Sequence, residues 1–408
     1  MHKRIFFKGL SELRALAALA VLFHHIELYK SRDHINGLYD TALAPFIDKL
    51  GKNGVYLFFV LSGFLITYLL LAEKERNGFI DIAKFYVRRI LRIWPVYYTV
   101  LLFSFFLLPL LAQNIPAMAA ESGYYHRILL LQNDFYTPFF LFLFFLPNLA
   151  LTLRYAVVGA AQSWSVGVEE QFYLLWPHLV NKVRKTYLPY LFVSIILVLT
   201  AFKWVSAGNE FAAIKMVRHF LASFVIELMA VGALGAYFLY YHQERLQKLF
   251  TRPALFIANL AIIAALLLRP VHHLILGFFF CTLILFIIQD SNRIKFNLRS
   301  KYLDRLGVLS YGIYMYHPIV MYFCFALVHG TGMQPKGSLG YNLLLYTLIG
   351  GLSIGLSYLS YFYFESWFLK LKDKKFTNIK SGRAVEEYQP APAGVENGVA
   401  ESAPGKSF

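Results

Sequence analysis

Charge is scarce in this chain. Asp, Glu, Lys and Arg make up 15% of its 408 residues, against about 25% in ordinary soluble domains. Acid is scarcer than base, with 23 Asp and Glu against 39 Lys and Arg. Cysteine is almost missing. The two present, Cys281 and Cys324, each lie inside an apolar run, which excludes a disulfide framework and a Cys-rich metal site. There is no His-Glu-x-x-His pair, no phosphate-cradling glycine loop and no Gly-x-Ser-x-Gly elbow. Nothing in the sequence therefore calls for a metal, and the common nucleotide and serine-hydrolase signatures are absent. Nor is there a polar stretch long enough for a separate soluble domain.

What the chain does hold is hydrocarbon. Hydrophobic residues are 58% of it, with 39 Phe and 28 Tyr, and the mean hydropathy is +0.53. Apolar runs of about 20 residues recur along the whole length, the mark of an all-α polytopic membrane protein. The candidate runs are 10–26, 53–71, 94–111, 139–153, 164–180, 187–205, 218–241, 253–268, 271–289, 307–329 and 341–368. A net charge of +16 would suit nucleic acid. Its distribution points instead to a lipid bilayer, because the basic residues sit in short connections where topology requires them. The N-terminus resembles a signal peptide, but Arg14 interrupts its apolar part and no small-residue cleavage site follows. It reads as a retained first span.

The run 139–153 is the exception. Pro138 and Pro147 bracket eight apolar residues, about 12 Å of helix against a hydrocarbon core of about 30 Å. It is expected to be re-entrant or interfacial, which requires burial in protein or a cavity to line. About ten spans remain, with both termini in the cytoplasm and the protein in the inner (plasma) membrane. The basic segments 74–92, 182–185, 245–252 and 293–305 then all lie inside, whereas a crossing at 139–153 would send every later one outside. Residues 1–375 read as one transmembrane domain. Residues 376–408, rich in Pro, Gly, Ala, Ser and Glu, read as a disordered cytoplasmic tail. The segment 73–93 reads as an amphipathic helix lying at the inner interface. No internal repeat stands out.

Several polar residues sit where lipid should exclude them. Arg14 and His25 are eleven residues apart, about three helical turns plus 20°, so they share one face, about 16.5 Å apart in rise. Ala18 and Val21 lie on that face and leave room beside it. Ionisable groups in a membrane usually face a cavity or a partner. For His25 an ordinary interfacial histidine is the alternative, since His24 and Glu27 adjoin it. Arg88, Arg89 and Arg92 precede Trp94 and Pro95. Arg92 shares a face with each of the other two, and such a fork suits an anion with several phosphates. Alternatively it only anchors the span. Glu169 and Glu170 open another span and cannot both face one cavity. Helix-start acids are the alternative there, more so for Glu170 than for Glu169. His317, followed by Pro318, reads as structural before catalytic. Glu227 and Glu365 are further acids in or near the membrane, and His272 and His273 read as interfacial.

Four motifs occur in order: Arg14 with His25, Gly54-Val-Tyr-Leu-Phe-Phe-Val-Leu-Ser-Gly-Phe-Leu-Ile-Thr67, Arg89-x-x-Arg92 before Pro95, and Trp164…Glu169-x-x-Phe172-Tyr173. Together they resemble the acyltransferase-3 family of membrane O-acyltransferases, whose members acetylate O-antigens, exopolysaccharides and other glycans. The resemblance covers about residues 8–370. It implies ten spans, a cytoplasmic acyl-coenzyme A donor, and roles for Arg14, His25, Arg89, Arg92 and Glu169. Two features depart from the pattern. Some members carry a C-terminal extracytoplasmic hydrolase-like domain, where this chain has a short tail. The last motif often reads Glu-x-Pro, where this chain has Glu365-Ser366-Trp367.

A physical account stands beside the resemblance. Arg89 and Arg92, with Arg88, would hold the phosphates of acetyl-CoA. His25 would take the proton from a hydroxyl of a glycan or lipid-linked sugar, or carry the acyl group itself. Arg14 would stabilise developing charge or fix the donor, and Glu169 would orient a histidine or the acceptor. The competing class is a transporter or flippase that uses the same charges as a path. The sequence leaves open the acceptor, the acyl group, an acyl-histidine intermediate and the oligomeric state.

Overall fold

A computed structural model of the chain describes residues 5–119, 122–208, 210–289, 300–330 and 338–377. Most of the expected tail, 378–408, lies outside the described residues. Every element among them is a helix. Five helices build the site. Helix α1 (Leu10–Arg32) starts behind Gly9 at φ 89, a conformation that costs glycine little. Helix α2 (Ala44–Asn77) carries a proline in its first turn and ends on Gly78 at φ 79, the usual left-handed stop. Helix α3 spans Ile82–Leu102, α4 spans Trp164–Lys182 and α5 spans Lys301–Gly330.

The segment 73–93 is not the separate interfacial helix that its sequence suggests. Gly78 stops α2 after residues 73–77, and Asp81 caps a new helix by accepting the Lys84 N–H at 3.0 Å. That N–H holds the Asp81 carboxyl below its ordinary pKa. Helix α3 then runs through all three arginines and Pro95 into its apolar part. Local amphipathicity cannot register a break and a continuation, because both depend on single capping residues.

Among the described residues five helices are long and apolar enough to cross a membrane: Ala44–Asn77, Ile82–Asn114, Lys185–Val205, Lys301–Gly330 and Leu339–Lys375. Two bent pairs, Ala212–Ser223 with Ile226–Tyr241 and Gln243–Phe250 with Pro253–Leu267, raise the number to seven. The expected ten would need three more. Of these, α1 and α4 carry ionisable residues within them, and His273–Ile288 has 16 residues. The chain is an all-helical, polytopic membrane protein.

The run 139–153 breaks into Tyr136–Leu143 and Pro147–Thr152, of 8 and 6 residues, with Phe145 between them at φ 58. Neither piece approaches the length of a span. Protein groups satisfy carbonyls at the break. Tyr97 donates to Phe142 at 2.6 Å, Tyr98 to Leu143 at 3.1 Å and the Gln171 amide to Phe145 at 2.9 Å. Non-helical backbone in lipid requires such partners.

Helix α1 packs between α2 and α5, and α2 packs along Ile226–Tyr241. A Cβ on Gly63 would stand 2.0 Å from the Met229 carbonyl oxygen, so these two helices approach as closely as backbone allows. Lys74 at the end of α2 donates to Val180 and Val183 at the end of α4, at 2.7 and 2.8 Å. Phe7, just before α1, packs on Phe64 and Tyr68 of α2. One end of the bundle therefore gathers the starts of α1 and α3 with the ends of α2 and α4. The other end holds the 33–43 connection.

Candidate active site

Arg14, Arg89, Arg92 and Glu169 line one cavity of about 100 Å³, together with Ser62, Tyr173, Ser310, Tyr311 and Tyr314. Four of the five helices contribute one of the predicted residues or its direct partner, and α5 supplies Ser310, Tyr311 and Tyr314. The single carboxylate is well held: Ser62 donates to one Glu169 oxygen at 3.0 Å and Tyr173 to the other at 2.7 Å. Tyr173 is one helical turn after Glu169, so both face the same side. Arg14 lies within electrostatic reach of Arg92, Glu169 and Arg89. The arginines are less completely engaged. The Arg89 guanidinium sits over the Phe85 and Tyr173 rings at 5.6 and 5.7 Å, and its Nε is buried without a hydrogen-bond partner. Arg92 is the exposed member. Three guanidiniums around one carboxylate leave a cationic surplus, which is the composition of an anion site.

Arg88 does not line this cavity. Its guanidinium donates to Glu73 at 2.9 Å and to the Phe376 carbonyl at 3.1 Å, and both partners of the ion pair are buried. One residue of offset turns a helix by about 100°. That rotation separates Arg88 from Arg89 but not from Arg92, one turn on, and it is the pairing with Glu73 that holds Arg88 out of the cavity. Arg88 joins Arg89, Glu73, Lys372, Asp373 and Thr377 around a smaller adjoining space.

His25 is outside the cavity as well, further along α1. Its Nδ1 lies 2.9 Å from the Val21 carbonyl oxygen and 3.1 Å from Nε2 of His317. The two ring centroids are 4.9 Å apart. Tyr314 stands between the two regions. It lines the cavity, its ring is 6.0 Å from that of His317, and its hydroxyl donates to Gln162 O at 2.8 Å and accepts from Ser165 at 2.7 Å. His24 has a different environment. Its Nδ1 donates to the Ile47 carbonyl at 2.7 Å, tying α1 to the start of α2.

The remaining ionisable residues are accounted for elsewhere. Glu170 accepts from Trp94 Nε1 at 3.3 Å. Glu227 accepts from Lys203 at 2.5 Å and pairs with His273 at 2.8 Å. Glu365 accepts from Ser360 at 2.9 Å, in a π-turn over Ser360–Glu365, and lies within electrostatic reach of Arg92. His272 accepts the Leu274 N–H at 3.4 Å at the start of its helix. Among the described residues no group of His, Cys, Asp or Glu could hold a metal ion.

Sequence reasoning set His317 aside as structural, and it did not reach Ser62, Tyr173 or Tyr314 as site residues. Ser62 and Tyr173 stood inside the quoted motifs, and Tyr173 at four residues from Glu169 was within reach of helical spacing. His317 is 292 residues from its partner, and no local pattern could join them.

Comparison with known proteins identifies the family. A family model described as "Acyltransferase domain" matches residues 7–362. The peptidoglycan O-acetyltransferase OatA of Listeria monocytogenes is 30% identical over 181 residues, 43% of this chain and 24% of that protein. The O-acetyltransferase OatA of Staphylococcus aureus is 28% identical over 193 residues, 46% of this chain and 27% of that protein. The aligned part is about a quarter of the length of these relatives. No solved structure matches. With the family model covering most of its length and the charged cavity between its helices, this chain belongs to the acyltransferase-3 family of membrane acyltransferases.

Proposed function

We propose that the protein moves an acetyl group from acetyl-coenzyme A, bound from the cytoplasmic side, to a hydroxyl of a cell-envelope glycan. The observation that carries this reading is the cavity itself. Arg14, Arg89 and Arg92 surround one carboxylate, and the buried Arg89 Nε has no partner. A donor carrying a pyrophosphate and a 3′-phosphate supplies the anionic oxygens that such a set lacks. Arg89 and Arg92 would hold those phosphates, and Arg14, deeper along α1, would face the thioester end. The relatives named as O-acetyltransferases support acetyl as the group and a glycan as the acceptor.

Bond making then falls to His25. The acceptor hydroxyl attacks the thioester carbonyl carbon, His25 takes its proton, an ester forms and the carbon–sulfur bond breaks. The thiolate of coenzyme A leaves and recovers the proton. Arg14 lies on the His25 face of α1 but about 16.5 Å away in rise, so it would fix the donor rather than touch the reacting carbonyl. Glu169, held by Ser62 and Tyr173, would keep Arg14 oriented. An export function would use the charged cavity but gives the histidine pair no task.

The test is purified protein in lipid nanodiscs with acetyl-labelled acetyl-CoA and fractionated cell-envelope glycans. Label should pass to a glycan in an ester that mild base removes. Failure of every fraction to take label, with donor binding intact, would remove glycan acetylation. The side of the donor is tested separately. A topology reporter fused after residue 375 should read as cytoplasmic, and a periplasmic reading would overturn the ten-span arrangement with both ends inside.

A further inference from the structure

We propose that His317 is the positioning residue of His25, and that it fixes the proton of His25 on Nδ1 so that Nε2 is the atom that takes the acceptor proton. The inference rests on the acyl-transfer reading above for its purpose, but on geometry alone for its content. His317 is fully buried. Its Nδ1 lies 3.1 Å from the Ile313 carbonyl oxygen. A carbonyl oxygen only accepts, so Nδ1 of His317 carries the proton. In a neutral ring the other nitrogen is then an acceptor. That acceptor, Nε2, faces Nδ1 of His25 at 3.1 Å. Nδ1 of His25 also faces the Val21 carbonyl oxygen at 2.9 Å. Both neighbours of this nitrogen are acceptors, so it must donate. Nε2 of His25 is left with its lone pair.

The hydrogen bonds run one way because a backbone carbonyl stands at their far end. Ile313 and His317 are one turn apart on α5, four residues before and at the step into Pro318, and Gln162 braces the same stretch by donating to the Met315 carbonyl at 2.7 Å. The residue is therefore set against the backbone, and it in turn sets His25. The arrangement also works after proton transfer. When His25 takes a proton on Nε2 it becomes imidazolium, and its Nδ1–H then points at a neutral acceptor. Among the described residues no carboxylate hydrogen-bonds either ring, so this pair offers acceptor atoms where a Ser-His-Asp triad offers charge.

The experiment compares His25→Ala, His317→Phe and His317→Gln in nanodiscs at matched expression. His317→Phe removes the acceptor and keeps a ring in the space. His317→Gln returns a carbonyl oxygen near the place of Nε2. His317→Phe should lower kcat about tenfold to a hundredfold with KM and donor affinity unchanged, and His317→Gln should recover most of that loss. A packing role predicts the reverse, with Phe tolerated and Gln harmful, and either that order or wild-type kcat in His317→Phe overturns the proposal. A second readout needs no turnover. Nitrogen NMR of histidine-labelled protein should show His25 protonated at Nδ1 and bare at Nε2, with the Nδ1 signal moving in His317→Phe. A proton on Nε2 of His25 overturns the proposal even if the acetyl-transfer reading stands. A normal NMR result with a fully active His25→Ala overturns that reading and leaves the pairing intact.

Discussion

Two regions of this molecule handle ionisable side chains in opposite ways. The cavity collects Arg14, Arg89 and Arg92 around Glu169 and leaves a surplus of positive charge. The His25–His317 pair, beyond Tyr314, has backbone carbonyls and each other as its hydrogen-bond partners among the described residues. A charge in lipid is costly unless something compensates it. The cavity can carry its surplus because aromatic faces, a held carboxylate and open space accompany it. The histidine pair has no carboxylate among its hydrogen-bond partners in the described residues, and its geometry suits neutral rings. The cationic cavity and the neutral histidine pair are thus kept apart along one helix face, with a tyrosine at the boundary.

Substitution can break that division at either end. The largest effect should come from His25→Ala, which removes the proton acceptor. Acetyl transfer should fall by about 10² to 10⁴-fold while coenzyme A binding and membrane insertion persist, measured as turnover and donor affinity on the same preparation. Retention of donor affinity is the sharper half of this prediction, because it would separate the two regions functionally.

Arg88→Ala comes next, and it should act on stability. It takes the cation from the buried Glu73 carboxylate, which keeps the Asp81 N–H, and removing one partner of a buried ion pair costs about 3–5 kcal/mol. A lowered melting temperature in detergent, with donor affinity normal in the protein that remains folded, is the expected result. A selective loss of donor affinity would instead return Arg88 to the anion site.

Arg89→Ala should weaken coenzyme A binding by about tenfold to a hundredfold, the worth of a charge-assisted hydrogen bond of about 1.5–3 kcal/mol. The effect should shrink in high salt. Unchanged affinity would leave the cavity without its assigned ligand. The smallest change is Tyr173→Phe. It removes one of two hydroxyls on Glu169, about 1 kcal/mol or a fivefold change in transfer. Ser62 remains to hold the carboxylate, so the double variant should lose more than either single one.

How much of this was legible in the sequence follows the range of the interaction. Periodicity put Arg14 and His25 on one face, because side chains eleven residues apart on one helix are related by helical geometry alone. It also marked 139–153 as too short to cross, and the structure breaks it into two short helices. Periodicity could not choose among Arg88, Arg89 and Arg92, since Arg92 shares a face with both others. The choice was made by Glu73, which the 78–81 connection brings back onto Arg88. Nor could it see Gly78 and Asp81 dividing the 73–93 segment.

By itself, then, the sequence determined that the chain is a helical membrane protein with arginine, histidine and glutamate inside its spans, because composition and local spacing settle what one helix must bury. The tertiary structure alone decided which of those residues meet. Ser62 reaches Glu169 across 107 residues and His25 reaches His317 across 292. Contacts between helices depend on how whole faces pack, on close approaches such as that at Gly63, and on where each helix stops, and no window along the chain contains that information.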